Sequence, residues 1–189
     1  MYAHLIDFSQ PLSFTIDGVL SPDECRALIA RIDAAGPSVA PVSRAEGPVL
    51  DLEMRNNTRV MFDDAELAAL LYERVRCRLP KTISGRDVVG ANERVRCYRY
   101  AVGQRFAPHY DGAFVRNKEE RSKLTFIVYL NEGFTGGETA MLDFDEVIVP
   151  RTGRALLFQH AILHEGCAVT SGVKYAVRSD IMYRLPSAA

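Results

Sequence analysis

Three side chains in this sequence combine types and spacing that could do chemistry. His109-Tyr110-Asp111 closes a strand-like run, and strand alternation puts residues 109 and 111 on one side, about 6–7 Å apart. That separation suits two ligands of one ion. A chain with four histidines yields a chance His-x-Asp in roughly one such sequence in five, so a third ligand is needed. His164, in His164-Glu165-Gly166, is the candidate. Two imidazoles and one carboxylate form a facial triad, which suits non-haem Fe(II) and leaves positions open for substrate and O2.

His160 competes for the third place. His160-Ala161-Ile162-Leu163-His164 has the i, i+4 spacing of a zinc-protease helix but lacks its glutamate. Ala155-Leu156-Leu157-Phe158 before it reads as a strand, with no helix-length pattern around the pair. His160 is therefore read as structural, or as part of a pocket wall.

A rigid scaffold must position these ligands, and the second half of the chain supplies strands for it. Runs 93–101, 104–111, 123–131, 138–143, 146–150, 154–160, 162–169 and 174–184 are short and rich in Val, Ile, Tyr and Phe. Turn residues such as Gly103, Gly112, Gly133, Gly136-Gly137 and Gly153 separate them. Around eight short strands predict a sandwich, jelly roll or barrel. Before them, residues 12–20 read as a strand or extended lead-in. Ser21-Pro22-Asp23-Glu24 opens a helix carrying Cys25, Leu28, Ile29 and Ile32, ended by Gly36-Pro37. Asp63-Asp64-Ala65-Glu66 opens a second, with Leu67, Leu70, Leu71 and Val75 as its stripe and Pro80 as its stop. Each one-sided helix must pack on something. In the last strand Tyr175, Val177, Ile181 and Tyr183 fit packing against the helices. Lys174, Arg178 and Asp180 take the other face, toward the interior. Cations there are unfavourable unless an anion meets them.

The composition narrows the setting. At 189 residues one domain over 1–189 is the default, with 1–92 helical after a lead-in strand and 93–184 the β core. With 23 Lys+Arg against 24 Asp+Glu, nothing attracts nucleic acid or an anionic membrane. No apolar run reaches the roughly 20 residues of a membrane span, and the N-terminus lacks a secretory pattern. Cys25, Cys77, Cys97 and Cys167 form no C-x-x-C pair, so buried free thiols are expected. A soluble cytoplasmic protein is expected.

At this point the motifs resemble a known family. Tyr100-Ala101-Val102-Gly103-Gln104-Arg105-Phe106-Ala107-Pro108-His109-Tyr110-Asp111 resembles the metal-binding strand of prolyl 4-hydroxylase-type dioxygenases dependent on Fe(II) and 2-oxoglutarate. Leu124-Thr125-Phe126-Ile127-Val128-Tyr129-Leu130-Asn131 with Gly136-Gly137-Glu138-Thr139 resembles the next strand pair. His164-Glu165-Gly166-Cys167-Ala168-Val169, then Gly172-Val173-Lys174-Tyr175, resembles the strands of the distal histidine and of the 2-oxoglutarate anchor. The resemblance spans about residues 93–184 in matched order.

It implies a mainly β (α+β) fold, a cupin-like double-stranded β-helix or jelly roll braced by N-terminal helices. It implies Fe(II) on His109, Asp111 and His164, with 2-oxoglutarate and O2 as co-substrates and ascorbate as reductant. Lys174 matches the lysine that pairs with the distal carboxylate of 2-oxoglutarate, and Tyr100 the tyrosine that hydrogen-bonds it. Arg178, on the same face, is the rival anchor, or a holder of substrate or of a nearby acid. The activity implied is hydroxylation of an unactivated C–H with release of succinate and CO2. Asp111 argues against halogenation, which needs a small residue there. The substrate is a prolyl or other residue in a protein or peptide, or a free amino acid or small metabolite. No tryptophan is present, and Tyr175 stands where collagen-type enzymes commonly carry one. Residues 37–59, long and irregular, sit where prolyl hydroxylases place a substrate loop, with Arg55 and Asn57 as expected substrate contacts. Residues 112–122 form a second, mixed-charge loop. The readings set against a hydroxylase are a non-oxidative cupin-like isomerase or sensor, and a zinc hydrolase for which no motif places a general base.

Overall fold

Ser21 caps the first helix by accepting from the Glu24 amide, while Glu24 returns a bond to the Ser21 amide and Pro22 sits in the first turn. This computed structural model describes residues 3–44 and 46–186. Its first part contains β1 (Ser13–Ile16), α1 (Pro22–Ala34), β2 (Ser38–Val39), β3 (Val42–Arg44), β4 (Gly47–Val49), β5 (Thr58–Asp63) and α2 (Ala65–Val75). Next come β6 (Thr82–Ile83), β7 (Arg86–Ala91), β8 (Arg94–Tyr100), β9 (Phe106–His109) and β10 (Glu120–Tyr129). The chain then forms β11 (Thr135–Gly136), β12 (Thr139–Met141), β13 (Glu146–Ile148), β14 (Ala155–Gln159), β15 (His164–Gly166), β16 (Val169–Ser171) and β17 (Lys174–Arg184).

Two antiparallel sheets make a jelly-roll sandwich. The larger runs β1-β14-β10-β17-β8-β5-β2, with β7 on the far half of β17 and β6 beyond it. The smaller runs β13-β12-β15-β9. Between them Tyr129, Leu156, Phe158 and Ala176 of the larger sheet meet Met141 and Ile148 of the smaller. On the outer face Val95, Cys97, Leu124, Phe126, Val177 and Ile181 share a core with Cys25, Leu28 and Ile32 of α1 and Leu71 and Val75 of α2. Strand β17 divides by alternation, with Tyr175, Val177, Ile181 and Tyr183 in that outer core and Lys174 and Arg178 on the cavity side.

Some local expectations are corrected. Residues 37–59 are not simply irregular: they hold β2 and the β3–β4 hairpin, and Val60-Met61-Phe62 belongs to β5. Residue 45 lies outside the described residues. In α2 Leu70 is exposed and Ala68 is buried instead, because Leu67, Leu71 and Val75 follow an i, i+4 line that leaves position 70 to one side. Cys25 and Cys97 are buried free thiols, whereas Cys77 is exposed.

Candidate active site

The β9–β15 register sets His109 directly opposite His164, bringing their ring centroids to 4.2 Å. Asp111 lies two residues beyond. His109 Nε2 is 3.8 Å from Asp111 Oδ1 and His164 Nε2 is 3.6 Å from Oδ2. One ligand atom from each residue falls within 4.8 Å of the others. His109 Nδ1–H donates to the Ala107 carbonyl at 2.8 Å, and His164 Nδ1–H to the Ile162 carbonyl at 3.0 Å. Both bonds fix the tautomer that keeps the Nε2 lone pair free for a metal. Phe106 stacks on His109 at 3.5 Å, and Phe158 packs against His164 at 4.5 Å. Burial, reinforced by His164, pushes His109 down to about 3, and burial lowers His164. Both imidazoles are neutral at pH 7, as metal ligands must be. Burial alone would raise Asp111, but Arg178 and the histidines outweigh it and hold the carboxyl well below its usual range. The donor set fits a divalent transition metal.

Asp111 is held from two sides. Arg178 Nη1 lies 2.8 Å from Oδ1, and the Thr125 hydroxyl donates to Oδ2 at 2.6 Å. Because Thr125 gives its proton to Asp111, it accepts from His160 Nδ1–H at 2.9 Å. His160 Nε2 then accepts from the Ser122 hydroxyl at 2.7 Å. Burial pushes His160 down to about 4, which agrees with a neutral ring using one nitrogen as donor and the other as acceptor. With both nitrogens engaged, His160 serves the triad as a support.

A cavity opens from the triad, and Tyr100, Tyr129, Lys174 and Arg178 help line it. Lys174 pairs in register with Tyr100. Its ammonium lies 5.1 Å from the Tyr100 ring and 5.4 Å from that of Tyr129, and donates to the Gly137 carbonyl at 2.6 Å. No carboxylate among the described residues forms an ion pair with it, although Lys174 is only 4% exposed. Burial pushes its pKa down to about 8. Glu138 acts on it only at longer range, and a buried ammonium facing a cavity without an ion-paired partner is suited to receive an anion. Arg178 differs, since Asp111 and Asp180 engage its guanidinium.

A larger groove meets the same centre from outside, sharing Phe106, His109, Asp111 and Arg178 with the cavity. Arg55 lines this groove, with its guanidinium 4.6 Å from the Tyr98 ring centroid and 4.3 Å from that of Phe106. Asn57 corrects the expectation: it is fully buried and lines neither space. Its Oδ1 accepts from Arg55 Nε at 2.7 Å, so it orients Arg55. The segment is fastened to the metal-side strand through Ala107 N–H to the Met54 carbonyl and Arg105 N–H to Asn56 Oδ1, at 2.8 and 2.7 Å.

The structure brings His109, Asp111, His164, Tyr100, Lys174 and Arg178 to one cavity. Ser122 and Thr125 beneath the triad and Arg59 and Arg96 in the outer groove join them without any motif in the sequence that marks them. Thr125 left a trace, as a polar residue between Leu124 and Phe126 in an apolar strand. Arg59 and Arg96 left none, because only the pairing of β5 with β8 brings them to one groove.

Residues 95–179 match the 2OG-Fe(II) oxygenase superfamily. A curated relative, probable prolyl 4-hydroxylase 3 of Arabidopsis thaliana, is 25% identical over 88% of this chain and 68% of its own. Among solved structures, the viral collagen prolyl hydroxylase of Paramecium Bursaria Chlorella virus-1, in its 2OG complex, has a TM-score of 0.66 at 22% identity, covering 94% of this chain and 98% of the other. A prolyl hydroxylase from Trichoplax adhaerens, in complex with a hypoxia inducible factor peptide fragment, has a TM-score of 0.68 at 16% identity, covering 92% and 84%. These two likenesses establish the shared fold.

Proposed function

We propose that this chain, a 2OG-Fe(II) oxygenase of prolyl 4-hydroxylase type, holds Fe(II) on His109, Asp111 and His164 and hydroxylates a prolyl residue of a peptide lying in the outer groove. One observation carries the reading: a single cavity is lined both by the triad and by Lys174, a buried ammonium with no ion-pair partner among the described residues. Bound Fe(II) would supply oxidative decarboxylation of 2-oxoglutarate by O2, giving succinate and CO2 and hydroxylating an unactivated C–H.

The chain's own groups have distinct tasks in this reading. Lys174 takes the distal carboxylate of 2-oxoglutarate. Burial pushes the Tyr100 phenol up to about 12, so it stays protonated and donates to the same carboxylate. Arg178 and Thr125 keep Asp111 ionised and oriented. Phe106 and Phe158 cover the imidazoles and limit water around them. The outer groove reaches from Pro41 and Arg55 past His109 and Asp111 to Phe114 and Leu163, a spread of lining residues that favours an extended peptide over a free amino acid. The peptide held by the Trichoplax relative supports the same choice. Nothing favours a non-oxidative metal-binding role.

The test is an anaerobic titration of metal-free protein with Fe(II) and then 2-oxoglutarate, followed in the visible spectrum. A weak charge-transfer band requiring both additions, and lost in His164→Ala, is expected. Iron binding without that band would refute chelation of 2-oxoglutarate here. His109→Ala, Asp111→Ala and His164→Ala should each abolish succinate release while circular dichroism shows a retained fold. Full turnover in any one of them would defeat the triad.

A further inference from the structure

Four guanidiniums, from Arg55, Arg59, Arg96 and Arg178, line the outer groove, and the sheet register explains how three of them gather. Arg178 on β17 stands directly opposite Arg96 on β8. Arg59 on β5 stands opposite Tyr98, one alternation along the same face. Like charges directly opposite each other destabilise a sheet, and Asp180 relieves this pair. One of its oxygens lies 3.2 Å from Arg96 Nη1 and the other 3.2 Å from Arg178 Nη2. Asp111 takes the remaining arm of Arg178.

Arg55 and Arg59 are left without a carboxylate among the described residues. Arg55 is 4% exposed, and its buried Nη2 has no hydrogen-bond partner. Arg59 is partly buried. Burial lowers its pKa from the ordinary arginine value, with Tyr98 opposing the shift and Arg55, Arg96 and Arg178 adding to it. One buried and one partly buried cation facing one groove call for an anion from outside. Guanidinium forks match a carboxylate in bidentate geometry.

We propose that Arg55 and Arg59 form a carboxylate subsite that selects peptides bearing an acidic side chain close to the hydroxylated proline. This rests on the peptide reading above. A nucleic acid is the weaker occupant. The chain carries a net charge of −1, and the groove's arginines sit among Tyr98, Phe106, Pro108 and Phe114, with no continuous phosphate track.

The experiment uses short peptides with one central proline and a single Glu moved through each neighbouring position, each paired with Gln and Lys twins. Product is read from peptide mass and succinate, and binding from the anisotropy of labelled peptides. At one or two positions the Glu peptide should have about tenfold higher kcat/KM than its Gln twin, equivalent to about 1.4 kcal/mol. The Lys twin should be the poorest, and added salt should shrink the Glu preference. Arg59→Gln should bring the Glu:Gln ratio to about one. Arg55→Lys, which keeps the charge but loses the fork, should reduce the ratio partway. Equal handling of Glu and Gln peptides at every position overturns the subsite, as does tighter binding of a single-stranded oligonucleotide than of any acidic peptide. Succinate release with hydroxylation blind to charge removes the subsite and leaves the oxygenase. If no peptide supports succinate release, the peptide reading falls, and the anisotropy still decides the subsite: Glu over Gln retains it and parity removes it.

Discussion

Lys174 has a buried ammonium whose protein partners are a carbonyl and two aromatic rings, so its protonation sets how well an anion is held. Its pKa, pushed down to about 8 by burial, places the ammonium in its charged form at pH 7. Affinity for 2-oxoglutarate should therefore be flat below pH 8 and fall about tenfold per unit above it. The unfolded chain keeps the lysine proton to higher pH, so the cost of burying this charge is full below 8 and is relieved as pH rises through that window. Binding isotherms of 2-oxoglutarate across pH 6.5–9.5 would check this, and a flat profile would exclude Lys174 as anchor. Lys174→Ala should raise KM for 2-oxoglutarate far more than Arg178→Ala does, and the reverse order would transfer the anchor to Arg178. Thr125 gives a different expectation. Thr125→Val removes the hydroxyl that donates to Asp111 and strands His160 Nδ1. Loss of such a support lowers metal affinity about 10–100-fold. Thr125→Ser should restore most of it, which a merely structural role would not require.

The β11–β12 connection shows an element acting on the site through its backbone. Gly137 has φ +71, and a Cβ there would lie 3.1 Å from Lys174 Cδ, Phe134 and Val169 alike. Its carbonyl is the acceptor for Lys174. Gly137→Ala combines backbone strain with a push on the lysine stem, so KM for 2-oxoglutarate should rise several-fold while Fe(II) affinity holds. A fall in Fe(II) affinity of the same size would mean that the turn supports the whole sandwich instead. In the sequence Gly136-Gly137 reads as a tight turn only, because a carbonyl's partner is invisible until the strands are paired. The same limit explains the other omissions. The eight runs from residue 93 onward were readable because glycine turns separate them and Val, Ile, Tyr and Phe fill them. Strands β2, β3, β4 and β6 span only two or three residues each, too few for alternation to show. In β5 the apolar Val60-Met61-Phe62 hid a strand whose Val60 and Phe62 pack on the outer core while Met61 is exposed. The metal ligands were readable because two of them sit at fixed spacing on one strand end. The arginine wall was not, since it joins residues 55, 59, 96 and 178 from three strands and a loop.

At the scale of the whole molecule, the site lies where the two sheets meet. His109 and His164 come from the smaller sheet, and Lys174 and Arg178 from β17 in the larger. A metal on the triad and an anion reaching from it to Lys174 would clasp the two sheets, adding stability through binding to the native state alone. Saturation at a hundred times Kd contributes about 2.7 kcal/mol, and a chain of this size gains about 2–4 °C per kcal/mol. Mn(II) as a redox-silent substitute should therefore raise Tm by about 5–10 °C, and 2-oxoglutarate should add a further increment only when the metal is present. In His164→Ala both increments should vanish, whereas in Lys174→Ala the metal increment should persist and the 2-oxoglutarate increment should shrink. The outer core provides the contrast. Ile32→Ala, at a fully buried position of α1 against the larger sheet, should cost about 2–5 kcal/mol of stability. It should leave the size of both ligand increments intact, because that core lies on the face of the sheet away from the site. If Ile32→Ala reduced the ligand increments as strongly as Lys174→Ala, the two cores would be energetically coupled through the larger sheet, and the sandwich would have to be treated as one cooperative unit with its site.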